Sequence, residues 1–352
     1  MYRIATSLSQ RYRVGLMGRM LPGSPALPRS WPFEGIRLPT RAQKGKSFYA
    51  EHNWRLYHAL IEQKPDLIGA VDADTLMACS QAARRLAVPL VYDSHEYFTQ
   101  VPELEGRPWV RAIWHGLEKR CIRPARLCYT VNEALASVLS QRLGKSFGSI
   151  RNVPLLHGAM EEEMQEGAME LPERFVLYQG ALNAGRGLEM LLDIAAQMPD
   201  LQVVLCGEGD LSRALRQQKE RLGLGDRVQF LGRISPSQLR RITRQAFLGY
   251  NVLAPMGLSY YYSLANKFFD YMHAGIPSLN SAFPAYEKII SSTGCGWTTA
   301  FDVDDVKAAL SYAWSHPEET RQVGWQALQA APQYCWENEE KKLLQLYDSL
   351  SV

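Results

Sequence analysis

The stretch FVLYQGALNAGRGLEMLLDIAAQMPDLQVVLCGEG, Phe175–Gly209, decides the fold. Phe175–Gln179 is a short apolar run that stops at Gly180. Gly185 and Gly187 flank Arg186, and Leu188, Met190, Leu191, Leu192, Ile194 and Ala195 then recur at helical spacing. Val203–Cys206 is a second apolar run, and it stops at Gly207. The pattern predicts strand, glycine turn, helix, strand, loop. Two parallel strands joined by a helix bring their loops to one sheet edge, where open α/β sheets bind ligands. Backbone N–H groups at a helix start, with an arginine among them, suit a phosphate. Taken alone, the stretch is equally an ordinary βαβ unit with glycine turns.

Working outward, 352 residues are enough for two domains with full cores. A hydrophobic content of 46% and a charged content of 21% are those of a soluble globular chain. The net charge of +3 gives no reason to expect nucleic acid. The charge is uneven, however. Residues 1–50 carry nine Lys/Arg against one acid, Glu34. Such a segment favours an acidic surface or an anionic substrate, with a solvated face as the plain alternative. The six cysteines are scattered without a CxxC, which predicts reduced, buried thiols of a cytosolic protein. No apolar run approaches the ~18 residues of a spanning helix. Membrane contact is therefore expected to be peripheral at most, through the basic N-terminal segment at the inner membrane face.

The remaining chain alternates in the same way. Residues 2–12 predict an amphipathic helix with Ile4, Ala5 and Leu8 on one face. Strands are predicted at Arg13–Gly18, Leu67–Val71, Pro89–Tyr92 and Leu127–Val131, with another just before Arg151. Helices are predicted at Phe48–Gln63, Thr75–Leu86, Val110–Arg120 and from about Glu133. This alternation implies a parallel sheet with helices on both faces. Met160–Glu173 is acidic and aperiodic, and suits a linker. Beyond the opening stretch, strands at Val228–Leu231, Leu248–Leu253 and after Pro277 alternate with helices. These helices lie near Leu211–Leu222, Ser237–Arg244, Asn266–Ala274, Asp302–Trp314 and Pro317–Gln329. Ala254–Ala265 is expected to be loop, and Trp336–Leu350 a terminal amphipathic helix.

YQGALNAGRGLEMLL, CGEGD, VQFLGRIS and LANKFFDYMHAGIP, in that order, resemble the donor-binding half of the GT-B glycosyltransferases of family 4. VDADT, VYDSHEYF, YTVN and RNVP in the first half resemble a bacterial branch of the same family. The resemblance implies an α/β GT-B protein of two Rossmann-like, doubly wound domains facing across a cleft. It places an acceptor-side domain at 1–158, a linker at 159–173 and a nucleotide-sugar-binding domain at 174–335. A terminal helix, 336–352, would pack back on the first domain. The implied activity is retaining transfer of a sugar from a nucleotide-sugar donor to a polysaccharide or glycolipid acceptor. No metal or other cofactor is implied, the nucleotide-diphospho-sugar being a co-substrate.

Residue by residue, Arg186 stands where the family places a lysine on the donor diphosphate, and a guanidinium binds phosphate oxygens bidentately. A second family cation is replaced by Ala181. Asp270 stands at the second of two carboxylate positions and would accept from ribose hydroxyls. Tyr262 replaces the first. Ser263, Leu264 and Asn266 lead into a helix whose N–H groups would face the diphosphate, with Lys267 adding charge. Gly180 and Gly187 shape the first loop. Gly207 and Glu208, with Arg233, would lie by the nucleobase.

In the first half, His95 matches a family histidine near the transferred sugar, and Glu96 is a second catalytic candidate. Asp72-Ala73-Asp74 spells a DxD motif, but at a strand end in an acceptor domain a metal role is rejected. Asp74 and Thr75 are expected to cap the following helix, with acceptor contact the alternative. Asn53 is a further acceptor-side candidate. Family members open with a strand and a glycine loop that are not found before Met1, so the natural chain is expected to begin earlier. Two other readings were weighed on the same fold. A non-catalytic nucleotide- or glycan-binding relative is favoured by Ala181, Tyr262 and the missing first strand, whereas a sugar-nucleotide epimerase lacks acid/base carboxylate pairs. An NAD dehydrogenase lacks its G-x-G-x-x-G after a first strand.

Overall fold

The computed structural model describes residues 1–350 except 22, 25, 43, 44 and 157–169, so most of the acidic stretch read as a linker lies outside the described residues. The chain forms two compact units, one of Met1–Arg151 with Glu339–Val352, the other of Asn152–Asn338.

The first unit opens with α1 (Tyr2–Leu8), which is shorter than its predicted span and buries Ile4, Ala5 and Leu8. A parallel pair follows, β1 (Gly15–Met20) and β2 (Glu34–Pro39). Then come α2 (Gly45–Gln63), β3 (Ile68–Val71), α3 (Asp72–Leu86), β4 (Leu90–Ser94), α4 (Pro108–Cys121), β5 (Ala125–Thr130), α5 (Glu133–Leu143) and β6 (Gly148–Ser149). The last four strands form one parallel sheet in the order β3-β4-β5-β6. Every residue of β4 is buried, as expected of a central strand covered on both faces. Its end therefore delivers Asp93 and His95 to the C-terminal edge of the sheet. Helix α3 starts three residues before its predicted Thr75 start. Its N-cap is Val71, without a side-chain cap bond, so Asp74 sits inside the first turn and not at the cap position.

The second unit runs β7 (Val176–Gln179), α6 (Leu188–Gln197), β8 (Val203–Cys206), α7 (Ser212–Arg221), β9 (Val228–Gly232), α8 (Pro236–Gln245) and β10 (Leu248–Asn251). It continues α9 (Gly257–Tyr261), α10 (Asn266–Ala274), β11 (Ser278–Ser281), α11 (Pro284–Thr293), β12 (Gly296–Thr299), α12 (Val303–Ser315), α13 (Pro317–Ala330) and α14 (Trp336–Asp348). Its six strands are all parallel, in the order β12-β11-β10-β7-β8-β9. Strand residues alternate between two buried layers. Val176 and Tyr178 join Leu191, Val203 and Leu205, whereas Phe175 and Leu177 join Val204, Cys206 and Tyr271. The chain builds the sheet one way from β7 and then the other way from β10. Order reverses between these two strands, and such a switch point is where doubly wound sheets open a crevice.

From Glu339 onward α14 groups with the first unit. The Glu339 carboxylate is buried and accepts from Arg151 Nη1 at 3.0 Å, the Arg151 backbone N–H at 3.1 Å and Lys342 Nζ at 2.8 Å. Arg151 also pairs with Glu133. Glu339→Ala would strand a mostly buried guanidinium, and unmaking such pairs costs ~3–5 kcal/mol. Because Glu133 remains, a loss near the lower figure is expected, read from the urea midpoint of the variant against the parent.

Candidate functional site

Strand β7 ends at Gln179 and the chain turns at Gly180; strand β8 ends at Cys206 and turns at Gly207. Gly207 has φ +140°, and a Cβ there would stand 1.9 Å from the Gly180 carbonyl oxygen. The two loops are in backbone contact, which only glycine permits. Gly207→Ala is expected to push them apart. A loss of about 2 kcal/mol or more should appear in denaturant unfolding.

Gly187 is left-handed and caps α6, and its carbonyl accepts from the buried Tyr250 hydroxyl at 3.0 Å. The start of α6 is thereby fastened to β10 across the switch point. Arg186, just before it, is half-buried and lies 4.9 Å from the Tyr260 ring centroid. Its Nε is buried and has no hydrogen-bond partner among the described residues. Tyr260 comes from α9, where loop was expected. Pro255 and Gly257 punctuate that stretch and argue against a helix. Tertiary contact overrides them: Tyr261 rests on Phe283, ring centroids 5.4 Å apart.

Helix α10 brings Lys267 to the same place. The side chain is buried, and its Nζ sits 3.5 Å from the Tyr178 ring centroid with no hydrogen-bond partner among the described residues. Burial, and then the Arg186 charge, hold the Lys267 ammonium well below the usual lysine range, against the opposing pull of Asp270. Two cations in one another's field, each keeping a buried nitrogen without an internal partner, disfavour the fold by themselves. The same pair suits a doubly charged anion.

Asp270 lies one turn along α10. Gln179 Nε2 donates to its Oδ2 at 2.9 Å, and Thr243 Oγ1 donates to Gln179 Oε1 at 2.9 Å. The Thr243–Gln179–Asp270 chain therefore aims the carboxylate. Tyr262 ends α9 half-buried, Ser263 follows it, Leu264 is buried and Asn266 is exposed at the start of α10. One expected anion donor of this segment is already used, since the Ala265 N–H donates to the Tyr286 hydroxyl at 2.9 Å. Glu208 pairs with Arg216 at 2.8 Å, and the Gly207 N–H donates to the Gly232 carbonyl at 2.7 Å, which sets exposed Arg233 beside that loop. Tyr178, Gln179, Thr243 and Tyr260 escaped the sequence reading. The first two lie in an apolar run that reads simply as strand, and only the strand order reveals that its end faces a crevice.

In the first unit the sheet edge gathers Asp72, Asp93 and His95. The His95 backbone N–H donates to Asp72 Oδ1 at 2.7 Å, and its Nε2 lies 3.1 Å from Asp93 Oδ2. Asp72 has φ +57°, a strained conformation for a residue with a side chain. Burial raises the Asp72 carboxyl to about 7, despite the opposing charge of His95 and its N–H bond. Burial pulls His95 down, but the Asp93 hydrogen bond and the charges of Asp93 and Asp72 together raise it. Asp72 and His95 are thus coupled, each shifted towards its protonated form. Asp72 was overlooked because the DxD motif drew attention to its metal reading alone. Glu96 is exposed beside this cluster, and its charge bears on Asp72.

One acceptor-side expectation fails. Asn53 is buried, donating to the Tyr49 and Asp74 carbonyls and accepting from the Ala78 N–H, so its amide is consumed in clamping α2 to α3. Asp74 supplies the carbonyl of that clamp, and burial raises its carboxyl. The two aspartates of the DxD motif are thus turned to different tasks.

Fold and site together define a doubly wound protein with a half-buried Arg186 and a buried Lys267 at the switch point of its second sheet. Two family models match nearly the whole chain between them, Glycosyltransferase Family 4 over residues 1–154 and Glycosyl transferases group 1 over residues 159–329. The uncharacterised glycosyltransferase YqgM of Bacillus subtilis is 27% identical over 208 residues, a match that spans 56% of this chain and 56% of that relative. The sucrose-phosphate synthase structure from Thermosynechococcus elongatus is similar with a TM-score of 0.78 at 18% identity, covering 99% of this chain and 92% of that one. HepE of Anabaena in complex with UDP is similar with a TM-score of 0.74 at 18% identity, covering 99% and 95%. These likenesses show the GT-B fold, and the chain belongs to the group 1, family 4 glycosyltransferases.

Proposed function

We propose that the protein moves a sugar from a nucleoside-diphosphate sugar to a glycan or lipid-linked acceptor with retention of configuration. The observation that carries this reading is the pair Arg186 and Lys267, with its two unpartnered buried nitrogens at the switch point. In this reading both cations hold the diphosphate and Asp270 accepts from the ribose hydroxyls. The C1–O bond to the β-phosphate breaks as the acceptor oxygen bonds to C1 on the same face. The acceptor's proton passes to the departing phosphate oxygen. Charge then grows on the diphosphate, where fixed cations stabilise it most, and the protein's remaining task is to hold the reactants in place. No metal is required for that step. His95, in the acceptor-side unit, would hydrogen-bond the transferred sugar.

A panel of UDP-, GDP-, ADP- and TDP-sugars in thermal melts tests the donor, since a ligand of the native state raises the melting temperature. HepE's complex with UDP makes UDP-sugars the first to try. A second reading, binding without turnover, is favoured by Tyr262 and Ala181, which replace a carboxylate and a cation. Release of free nucleoside diphosphate on incubation with the stabilising donor separates the two. No stabilisation by any member of the panel would remove both.

A further inference from the structure

We propose that the outward face of α4 docks the protein on an anionic lipid surface. The proposal concerns the first unit alone and does not depend on the transferase reading.

Helix α4 reads PWVRAIWHGLEKRC, and Glu118 is its one buried residue. Glu118 marks the inward face, accepting from the Tyr92 hydroxyl at 2.9 Å and lying 3.6 Å from Arg142. Trp114 also turns inward, against Tyr49 and Phe98. Directly opposite, at spacings of three and four, come Trp109, Ile113, Gly116 and Arg120, which share one side of a helix. Trp109 is 83% exposed and Ile113 61% exposed. Neither needs to face water for the sake of the fold, and adjoining exposed apolar side chains of this size mark a contact surface.

The second half of the same face is cationic. Arg84 from the end of α3 joins Lys119, Arg120 and Arg123 around a cavity of ≈ 360 Å³ floored by Gly116. Among the described residues, none of these four cations meets a carboxylate in an ion pair or hydrogen bond. In the basic N-terminal segment, Arg11 pairs with Asp348, Arg13 lies 3.8 Å from Glu34, and the Arg19 guanidinium sits 4.2 Å from the Phe48 ring centroid. That segment, where membrane contact was first expected, thus has part of its charge matched by partners within the unit. The α4 face has not.

An indole and a branched aliphatic beside a cluster of long cations are the parts of a helix that lies in a lipid interface. The apolar pair enters the acyl boundary while Lys and Arg stems bend back to the headgroups. Each such cation contributes roughly fivefold to partitioning on an anionic surface. A soluble anion would account for the cations and leave Trp109 and Ile113 without purpose.

The test is flotation of the full chain with vesicles of phosphatidylcholine alone or mixed with phosphatidylglycerol. Binding is expected only to the anionic vesicles and should weaken with added salt. The variant R84Q/K119Q/R120Q/R123Q should lose about tenfold or more of that binding. The variant W109S/I113S should retain a weaker association that salt abolishes. All the altered side chains are exposed, four of them on α4, Arg123 just past its end and Arg84 on α3, so melting curves should match the parent. If the quadruple variant melts early, K119Q/R120Q alone should show a smaller, same-signed loss. Failure to bind anionic vesicles overturns the proposal, as does binding indifferent to both cation variants. So does preference for an acidic polypeptide or an oligonucleotide over the vesicles in direct competition.

Discussion

Lys267→Met is expected to lower kcat/KM for the donor by about a hundredfold to a thousandfold, the range seen when one fixed donor to a developing oxyanion is removed. The same variant should melt at a higher temperature than the parent when no donor is present. Both follow from one arrangement. The ammonium is buried over the Tyr178 ring, beside Arg186, without a hydrogen-bond partner among the described residues. Burial and then Arg186 depress its pKa below that of an unfolded lysine, which is about 10.4. Between those two values the unfolded chain binds more protons than the folded one, so stability rises with pH across that window and is diminished below it. Methionine fills a similar volume without the charge and lifts that penalty. A diphosphate would restore the ammonium, so donor binding should take up a proton and weaken as pH rises. Titration calorimetry in buffers of different ionisation heat reads that uptake directly. A Met variant that bound donor as tightly as the parent would end the diphosphate assignment.

Asp72→Asn is the second large expected effect. The carboxyl is raised to about 7 in the folded chain, chiefly by burial, whereas an unfolded aspartate titrates near 3.9. Between about pH 4 and pH 7 the folded state therefore holds the extra proton, and stability falls as pH rises through that range. His95, raised by Asp93 and Asp72 despite its burial, acts in the same direction, since its proton stabilises the fold at low pH and is lost at high pH. Asparagine keeps an oxygen for the His95 N–H and accepts a positive φ more readily than most residues. The variant should be more stable than the parent above pH 7, the difference closing towards pH 4 in urea melts. If His95 contacts the transferred sugar, the parent's pH–rate profile should also carry a limb near 7 that the variant lacks.

Much of the second unit was legible because its residues obey local rules. Glycines close β7, β8 and β9, apolar residues recur at helical spacing, and the order of motifs pointed to the family. Arg186 and Asp270 both bear electrostatically on Lys267. What escaped depends on residues distant in sequence. Gln179 looks like the last residue of a strand until Thr243, 64 positions later, and Asp270, 91 positions later, are seen on either side of its amide. Residues 284–299 carry a helix and a strand that weak periodicity hid. Asn53 shows the opposite failure: a polar residue on an aromatic helix suggested a ligand, and the fold uses it as a clamp.

The chain passes from the first unit to the second after Arg151 and returns after Asn338, partway through α14. A single proteolytic nick in the acidic 157–169 stretch would therefore leave both halves tethered, still joined through that returning helix. The second unit is one uninterrupted run, Asn152–Asn338. The first is not, because Leu343 and Tyr347, buried in it, follow the whole of the second unit in the chain. On the ribosome the later half is complete before the earlier half has closed.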